Sequence, residues 1–408
     1  MAPPSSFTAS TPASVGDAVA PIGSRGDGET LDRGQNFMPK TFEGIHVFQS
    51  FDAYVPYRDA KTHGTRYDMV WGAGVPTDWS QSNPSILNMW YLPMTTDGDQ
   101  KNTLTWWQTF HPDWILYHCD QVTPAWSQGL PQVPLDISNP DTVAWQIQTY
   151  ATKAEDQGYS GIAADLVGFS NMNHACGVWV NGVWVQKFSG QTSDPAWTQA
   201  VQSWASYAHT YLHGLARPLI LAGNHVPTHS APGDPNEEAL LANLDIDEDE
   251  AGFSNYGNGP ASDSLFNSAV GWMRYAQSIG HAFFVVDRWK TATVTQPQLD
   301  WSIATYLMGK RSAASLDVVD AQGYGYEYWF PQYQAAIGHA CGKMYADQGV
   351  YFRRFSGGLS VVNTNKTSTF TVNLPQPSYT SIDGGAVQSP VQVGPASGMV
   401  LLSQSPGC

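Results

Sequence analysis

Short apolar runs, each closing in polar or acidic residues, recur along the chain at intervals that leave room for one helix between them. Eight runs read as strands: residues 45–48, 86–92, 114–118, 161–167, 219–222, 244–246, 282–286 and 314–319. Most are continuous rather than alternating, the pattern of parallel strands covered on both faces. Helical periodicity fills the gaps. After the capping start Asn139-Pro140-Asp141, the segment 142–157 carries Val143, Ile147, Tyr150, Ala151 and Ala154 at helical spacing and stops at Gly158. Further helices are predicted over 196–215, 264–279 and 297–308. Strands alternating with helices argue for a parallel sheet under a helical cover, and eight such units close most economically as a (β/α)8 TIM barrel.

The pattern changes near residue 349. Runs at 350–355, 359–363 and 369–374 are β-rich, are separated by Gly, Asn and Ser, and have no helical segment after them; 399–402 reads as the last strand. The predicted organisation is therefore α/β: a flexible lead over residues 1–35, a barrel over 36–347 and a small C-terminal antiparallel β-sandwich over 348–408. The lead is rich in Ala, Pro, Ser, Gly and Thr. Met1 to Thr8 contain neither a charged n-region nor an apolar h-region, so no signal peptide is expected in that stretch.

Composition narrows the class of substrate. Charged residues make up 13% of the 408 positions, about half of the usual fraction of roughly 25%. With 35 acidic against 19 basic residues and a net charge of −16, the chain is a poor partner for nucleic acid, which needs a basic footprint. No stretch approaches the roughly 18 apolar residues of a membrane span, so no membrane partner is expected. Neutral substrates suit this surface better, and a monomer is expected. Four cysteines, Cys119, Cys176, Cys341 and Cys408, permit three pairings. Cys119 and Cys176 both follow predicted strands and can meet on one face, which with the low-charge composition suits a secreted protein. Four buried thiols are the alternative. Asn365-Lys366-Thr367 is a glycosylation sequon.

Five segments carry a family resemblance. Leu135-Asp136-Ile137-Ser138-Asn139-Pro140, then a helix, then Gly158-Tyr159-Ser160-Gly161-Ile162-Ala163-Ala164-Asp165, is similar to the D-x-x-N-P and G-x-D-G-x-x-x-D segments of TIM-barrel glycosidases, above all glycoside hydrolase-like family 15. The residues 221–224, closing in Asn224, resemble its fifth strand; 244–255 resemble its D-x-x-x-x-E-x-G-F segment; and 349–363 resemble the G-V-Y-x-R-x-F run that opens its terminal sandwich. Order and spacing over about residues 40–375 carry more weight than any one motif. Ser160 departs from the pattern by standing where the family has Asp, which leaves Asp165 as the carboxylate of that strand. The resemblance implies glycoside hydrolysis. Several α-glycosidase clans of this fold place an Asp on strand four and an acid on strand six, the arrangement that the strand count gives here, so the expectation leans to an α-linked glycan.

The residues support the same chemistry without the resemblance. Glycoside hydrolysis needs two carboxyl groups in different environments, one ionised and one protonated. Asp165 is flanked by Ala163, Ala164, Leu166 and Val167 at a strand end, a rigid place for a nucleophile or base. Glu250 stands beside Ala251, Gly252 and Phe253, with Asp247, Glu248 and Asp249 before it. An apolar setting and like charges both raise a carboxyl pKa, so Glu250 is the predicted acid, with Glu248 and Asp247 as rivals. The plainer alternatives are a buried carboxylate holding backbone amides for Asp165, and a solvated acidic loop or calcium site for 245–250. Sixteen Trp offer flat apolar faces for sugar rings. Trp90, Tyr91, Asp120, Asn224, His225, Asn255, Asp287 and Trp289 lie at or after predicted strand ends and are the candidate substrate binders. No H-E-x-x-H, C-x-x-C pair, strand-linked G-x-G-x-x-G or P-loop is present, so neither metal nor cofactor is expected. Two other classes stay open on the same barrel: a non-catalytic carbohydrate-binding protein, and a polysaccharide deacetylase with a metal held by His and Asp.

Overall fold

The computed structural model describes residues 43–98, 101–127, 132–405 and 407–408. The expected lead, residues 1–35, lies outside the described residues. Eight parallel strands follow one another around a barrel: β1 (Gln49–Ser50), β2 (Met69–Trp71), β3 (Leu87–Pro93), β4 (Gly161–Asp165), β5 (Ile220–Asn224), β6 (Ile246–Asp249), β7 (Ala282–Arg288) and β8 (Ala314–Val319). Just before β1, Val47 bridges Leu316 of β8 in parallel, through Leu316 N to His46 O at 3.0 Å and Phe48 N to Leu316 O at 3.3 Å. That bridge closes the sheet.

The helices between the strands are α1 (Tyr57–His63), α2 (Pro76–Ser80), α3 (Pro140–Asp156), α4 (Pro195–His213), α5 (Pro235–Leu241), α6 (Asp263–Ser278) and α7 (Gln296–Gly309). The caps read from sequence operate locally: Asn139 Oδ1 accepts from Asp141 N at 3.0 Å at the head of α3. Along each strand the side chains alternate. Met89, Ala163, Ala222, Ile246, Phe284 and Val286 share the apolar cluster inside the barrel, while Ala164, Leu221, Phe283 and Val285 pack outward in the cluster that includes the helices.

One predicted barrel strand is wrong and one was missed. The run 114–118 lies outside the barrel: Ile115 bridges Leu135, and Tyr117 bridges Pro124 and Gly177. It is apolar because it lies in a satellite core with Trp107, Val133 and Leu135 above the barrel, not because it is sandwiched in a sheet. The true second strand, Met69-Val70-Trp71, is three residues long between Gly64 and Gly72 and falls below what periodicity detects. Both errors precede residue 161, so they cancel, and Gly161–Asp165 remains the fourth strand.

Above the strand ends, the loop after β3 and the loop after β4 are joined by a disulfide between Cys119 and Cys176. The second loop carries its own hairpin, Gly177–Val180 paired with Val183–Gln186. A second disulfide joins Cys341 to Cys408.

The C-terminal part is an antiparallel β-sandwich of a six-stranded and a two-stranded sheet, with Phe352, Val361, Val372, Val393 and Leu401 between them. It packs on α7. Gly398 approaches so closely that a Cβ there would lie 2.8 Å from Asp300 O. The main polar link is Arg353, buried at 5% exposure. Its Nη1 donates to Leu307 O, Met308 O and Lys310 O at 2.7, 3.0 and 2.5 Å. These are the orphan carbonyls at the carboxyl end of α7, where a cation is favoured by the helix dipole. Replacing Arg353 with Met keeps much of its bulk and strands those carbonyls. Arg353→Met is expected to lower unfolding stability by about 2–4 kcal/mol, measured as a shift of the denaturant midpoint at unchanged m-value.

Candidate functional site

The strand alternation decides what the barrel mouth contains. Two residues beyond the inward-facing Met89, Ala163, Ala222, Ile246 and Val286 come Tyr91, Asp165, Asn224, Glu248 and Arg288, and two beyond Glu248 comes Glu250. Asp165, Asn224, Glu248 and Glu250 line one small pit with Ser50, Phe51, Trp71 and Tyr324.

Each carboxylate is held differently. Asp165 Oδ2 accepts the Tyr91 hydroxyl at 2.7 Å and Oδ1 accepts Leu166 N at 2.8 Å. Leu166 itself has φ +64°, a left-handed conformation that is unusual for a non-glycine residue and tends to occur at functional sites. Burial raises the Asp165 carboxyl above its ordinary value, and those two hydrogen bonds pull it back. Glu250 Oε2 accepts the Tyr324 hydroxyl at 2.9 Å. Its carboxyl is raised by burial and then by the Asp165 charge, while Tyr324, Asn224 and Arg288 oppose the rise. Gly252, two residues on, turns the chain with φ +58°, where a Cβ would lie 2.5 Å from Val286 O.

Glu248 lies one layer deeper, 4% exposed. Burial pushes its carboxyl far up, and the charges of Glu250 and Asp165 add to the effect. The other two acids of the run point away from the pit. Asp249 accepts the Thr228 hydroxyl and the amides of Ala251 and Gly252 at 2.9 and 3.3 Å, and Asp247 is buried on the same outward face. That face removes Asp247 as a rival for the acid of the pit.

From the pit a cavity of about 540 Å³ runs over the ends of β4 and β5, past Phe169, Met172, Trp197, His229 and Tyr256. On the other side of Glu250 lie Arg288, Lys290 and Tyr324, with the Arg288 guanidinium carbon 5.6 Å from the Tyr324 ring centre.

The predicted binders divide. Tyr91 and Asn224 reach the pit, and His225 lines the larger cavity. The His225 ring is committed: Nδ1 lies 2.8 Å from Val167 O, and Nε2 pairs with Glu237. Asn255 pairs with His229 at 3.3 Å near the same cavity. Trp90, one residue off the inward register, packs edge-on against Tyr159 with 4.9 Å between ring centres. Asp287 is fully buried on the outer face of β7, accepting Ser254 N at 2.7 Å and the Ser302 hydroxyl, and Trp289 Nε1 donates to the same Ser302 at 3.1 Å. Both are core, not cleft. Asp120 accepts the Val122 and Thr123 amides at 2.9 Å and so closes its own turn.

Sequence reading missed Arg288 and Tyr324. Counting by twos from Phe284 and Val286 finds the first, but Tyr324 arrives from the loop after β8, for which no local signal exists. Among the described residues, the group of His and carboxylate side chains close enough to share an ion, His209, His213 and Asp245, lies where the strands begin and not at this mouth.

No family model and no curated protein sequence matches the chain. Among solved structures it is similar to a noncanonic maltogenic α-amylase of Thermotoga neapolitana, with a TM-score of 0.51 and 13% identity over 88% of this chain and 98% of that one. An α-amylase of Anoxybacillus aligns with a TM-score of 0.48 and 12% identity, over 93% of this chain and all of the other. The likeness is one of fold. At such identities it says that this chain shares the barrel architecture of glycoside hydrolases, and the particular family 15 finds no support beyond the sequence motifs.

Asp317, on the inward face of β8, lies near the pit floor: its Oδ2 accepts the amide of Ser50 at 3.0 Å. Burial pushes its carboxyl up to about 7 despite that bond. The folded protein therefore holds this proton where the unfolded chain has lost it. Stability is reduced as pH rises from about 4 to 7 and the reduction is complete above that window. Asp317→Asn is expected to raise stability by about 1–3 kcal/mol at pH 7.5 and to leave it unchanged near pH 4, as read by thermal unfolding at the two pH values.

Proposed function

We propose that this protein is a glycoside hydrolase that cleaves O-glycosidic bonds of a polysaccharide or oligosaccharide outside the cell, with Asp165 and Glu250 as its two carboxyl groups. The observation that carries the reading is their pairing: two carboxyls lining one pit at the ends of β4 and β6, each raised by burial, with Glu250 raised further by the charge of Asp165. Burial and like charge both favour retention of a proton on one member of such a pair, the arrangement that an acid and a base need.

Asp165 is the better anion, since burial alone raises it while Tyr91 and Leu166 N stabilise its charged form, whereas Glu250 is raised by the Asp165 charge as well. It attacks the anomeric carbon or directs a water to it. Glu250 keeps the proton and delivers it to the departing glycosidic oxygen. Glu248, beneath both, is pressed toward its neutral form by burial and by their charges. Arg288 and Lys290 flank Glu250, and the apolar surfaces of Phe169 and Met172 along the larger cavity suit the C–H faces of successive sugars.

The strand-four and strand-six placement favours an α-linked substrate, and the Thermotoga neapolitana neighbour, whose fold this chain shares, is a maltogenic α-amylase. α-Glucans therefore head the panel to be tested.

Reducing-sugar release across α- and β-linked glycans is expected from the wild type on at least one polymer, with Asp165→Asn and Glu250→Gln each reduced at least about 10³-fold in kcat. Cleavage that survives both substitutions sinks the assignment of the carboxylates. Tyr324→Phe offers a finer test. The Tyr324 hydroxyl favours ionised Glu250, so its loss raises the Glu250 carboxyl further and the alkaline limb of the kcat profile is expected to move to higher pH. A limb that moves down, or not at all, places the acid elsewhere.

A further inference from the structure

At the foot of the barrel, away from the pit, a second chemical group is assembled. His209 and His213 lie four residues apart near the carboxyl end of α4, a spacing that turns both imidazoles onto one face of the helix. Asp245 stands immediately before β6, 6% exposed. His213 Nε2 is 2.9 Å from Asp245 Oδ2, and His209 Nε2 is 3.9 Å from Asp245 Oδ1. The two rings are 4.0 Å apart between centroids. One donor atom from each of the three residues falls within 4.8 Å of the others.

An ion pair between His213 and Asp245 needs only one imidazole. The second, drawn beside it and aimed at the other carboxylate oxygen from beyond hydrogen-bond reach, is not explained by that pair. We propose that His209, His213 and Asp245 form a binding site for a divalent transition-metal ion of the zinc type. Two imidazole nitrogens and one carboxylate oxygen are ligands of zinc, which binds them at about 2.0–2.2 Å in tetrahedral geometry with a fourth position open to water. Nitrogen-rich sets of this kind do not suit calcium or magnesium, which take oxygen.

The surroundings are those of a held ligand set. Leu221 N donates to Asp245 Oδ2 at 2.8 Å, fixing the carboxylate as outer-shell bonds do around metal sites. The place in the fold assigns the role: the end of a barrel where strands begin carries stability, while chemistry belongs to the other end. An ion there ties the end of α4 to the start of β6 across the intervening β5, and leaves the pit untouched.

The test uses the full chain, stripped with a chelator and titrated with zinc chloride, with bound zinc counted after gel filtration. One equivalent per chain is expected, and the thermal midpoint is expected to rise by several degrees at saturation. His209→Ala is expected to weaken zinc binding at least about tenfold and to abolish the thermal shift, while His209→Cys, which restores a ligand, keeps both. Wild-type protein that takes up no stoichiometric zinc, or stoichiometric binding that survives His209→Ala, overturns the proposal. Neither result bears on the glycosidase reading, because no residue of the pit is altered.

Discussion

Three carboxyl groups share the mouth of this barrel, and their burial side by side is the constraint that the rest of the site answers. Glu248, Glu250 and Asp165 are each raised by burial, and the two glutamates also by neighbouring charge. Their neighbours respond unequally. Tyr91 and a backbone amide support Asp165, and Tyr324, Asn224 and Arg288 support Glu250. Glu248 is pressed furthest toward neutrality at the bottom. A graded set of environments from one run of strand ends is how a protein separates an acid from a base without a metal ion.

That gradation depends on backbone geometry more than on side-chain choice. The pleat places every second residue inside, so in Asp247-Glu248-Asp249-Glu250 only the glutamates enter the barrel. The aspartates go outward, where Asp249 caps the following turn. Leu166 in its left-handed conformation and Gly252 in a turn that tolerates no Cβ then fix where the last inward carboxylates point. The acidic run looks uniform in one dimension and is divided in three.

This also explains how far the chain could be read. Period and run length are enough for the barrel, the sandwich and the placement of Asp165 and Glu250 at the barrel mouth, since these rest on local signals. Register was the weak point. Trp90, Asp287 and Trp289 were chosen as polar or aromatic groups near strand ends, but each is one residue out of phase with the inward set, and Arg288 lay unread between two of them. The run 114–118 misled because a satellite core of Trp and Leu selects the same apolar residues as a barrel strand. Tyr324 reaches the pit through closure of the barrel, a contact across 74 residues that no local pattern announces.

The disulfide between Cys341 and Cys408 has a topological consequence. The bond encloses the β-sandwich in a covalent ring spanning a sequence separation of 67 residues, anchored to the barrel through its first cysteine. A single peptide-bond cut anywhere within that ring opens it without releasing a fragment, because both pieces stay joined to the barrel, one by the main chain and one by sulfur. Releasing any part of the sandwich by cleavage inside the ring therefore takes two events, either two cuts or one cut and a reduction.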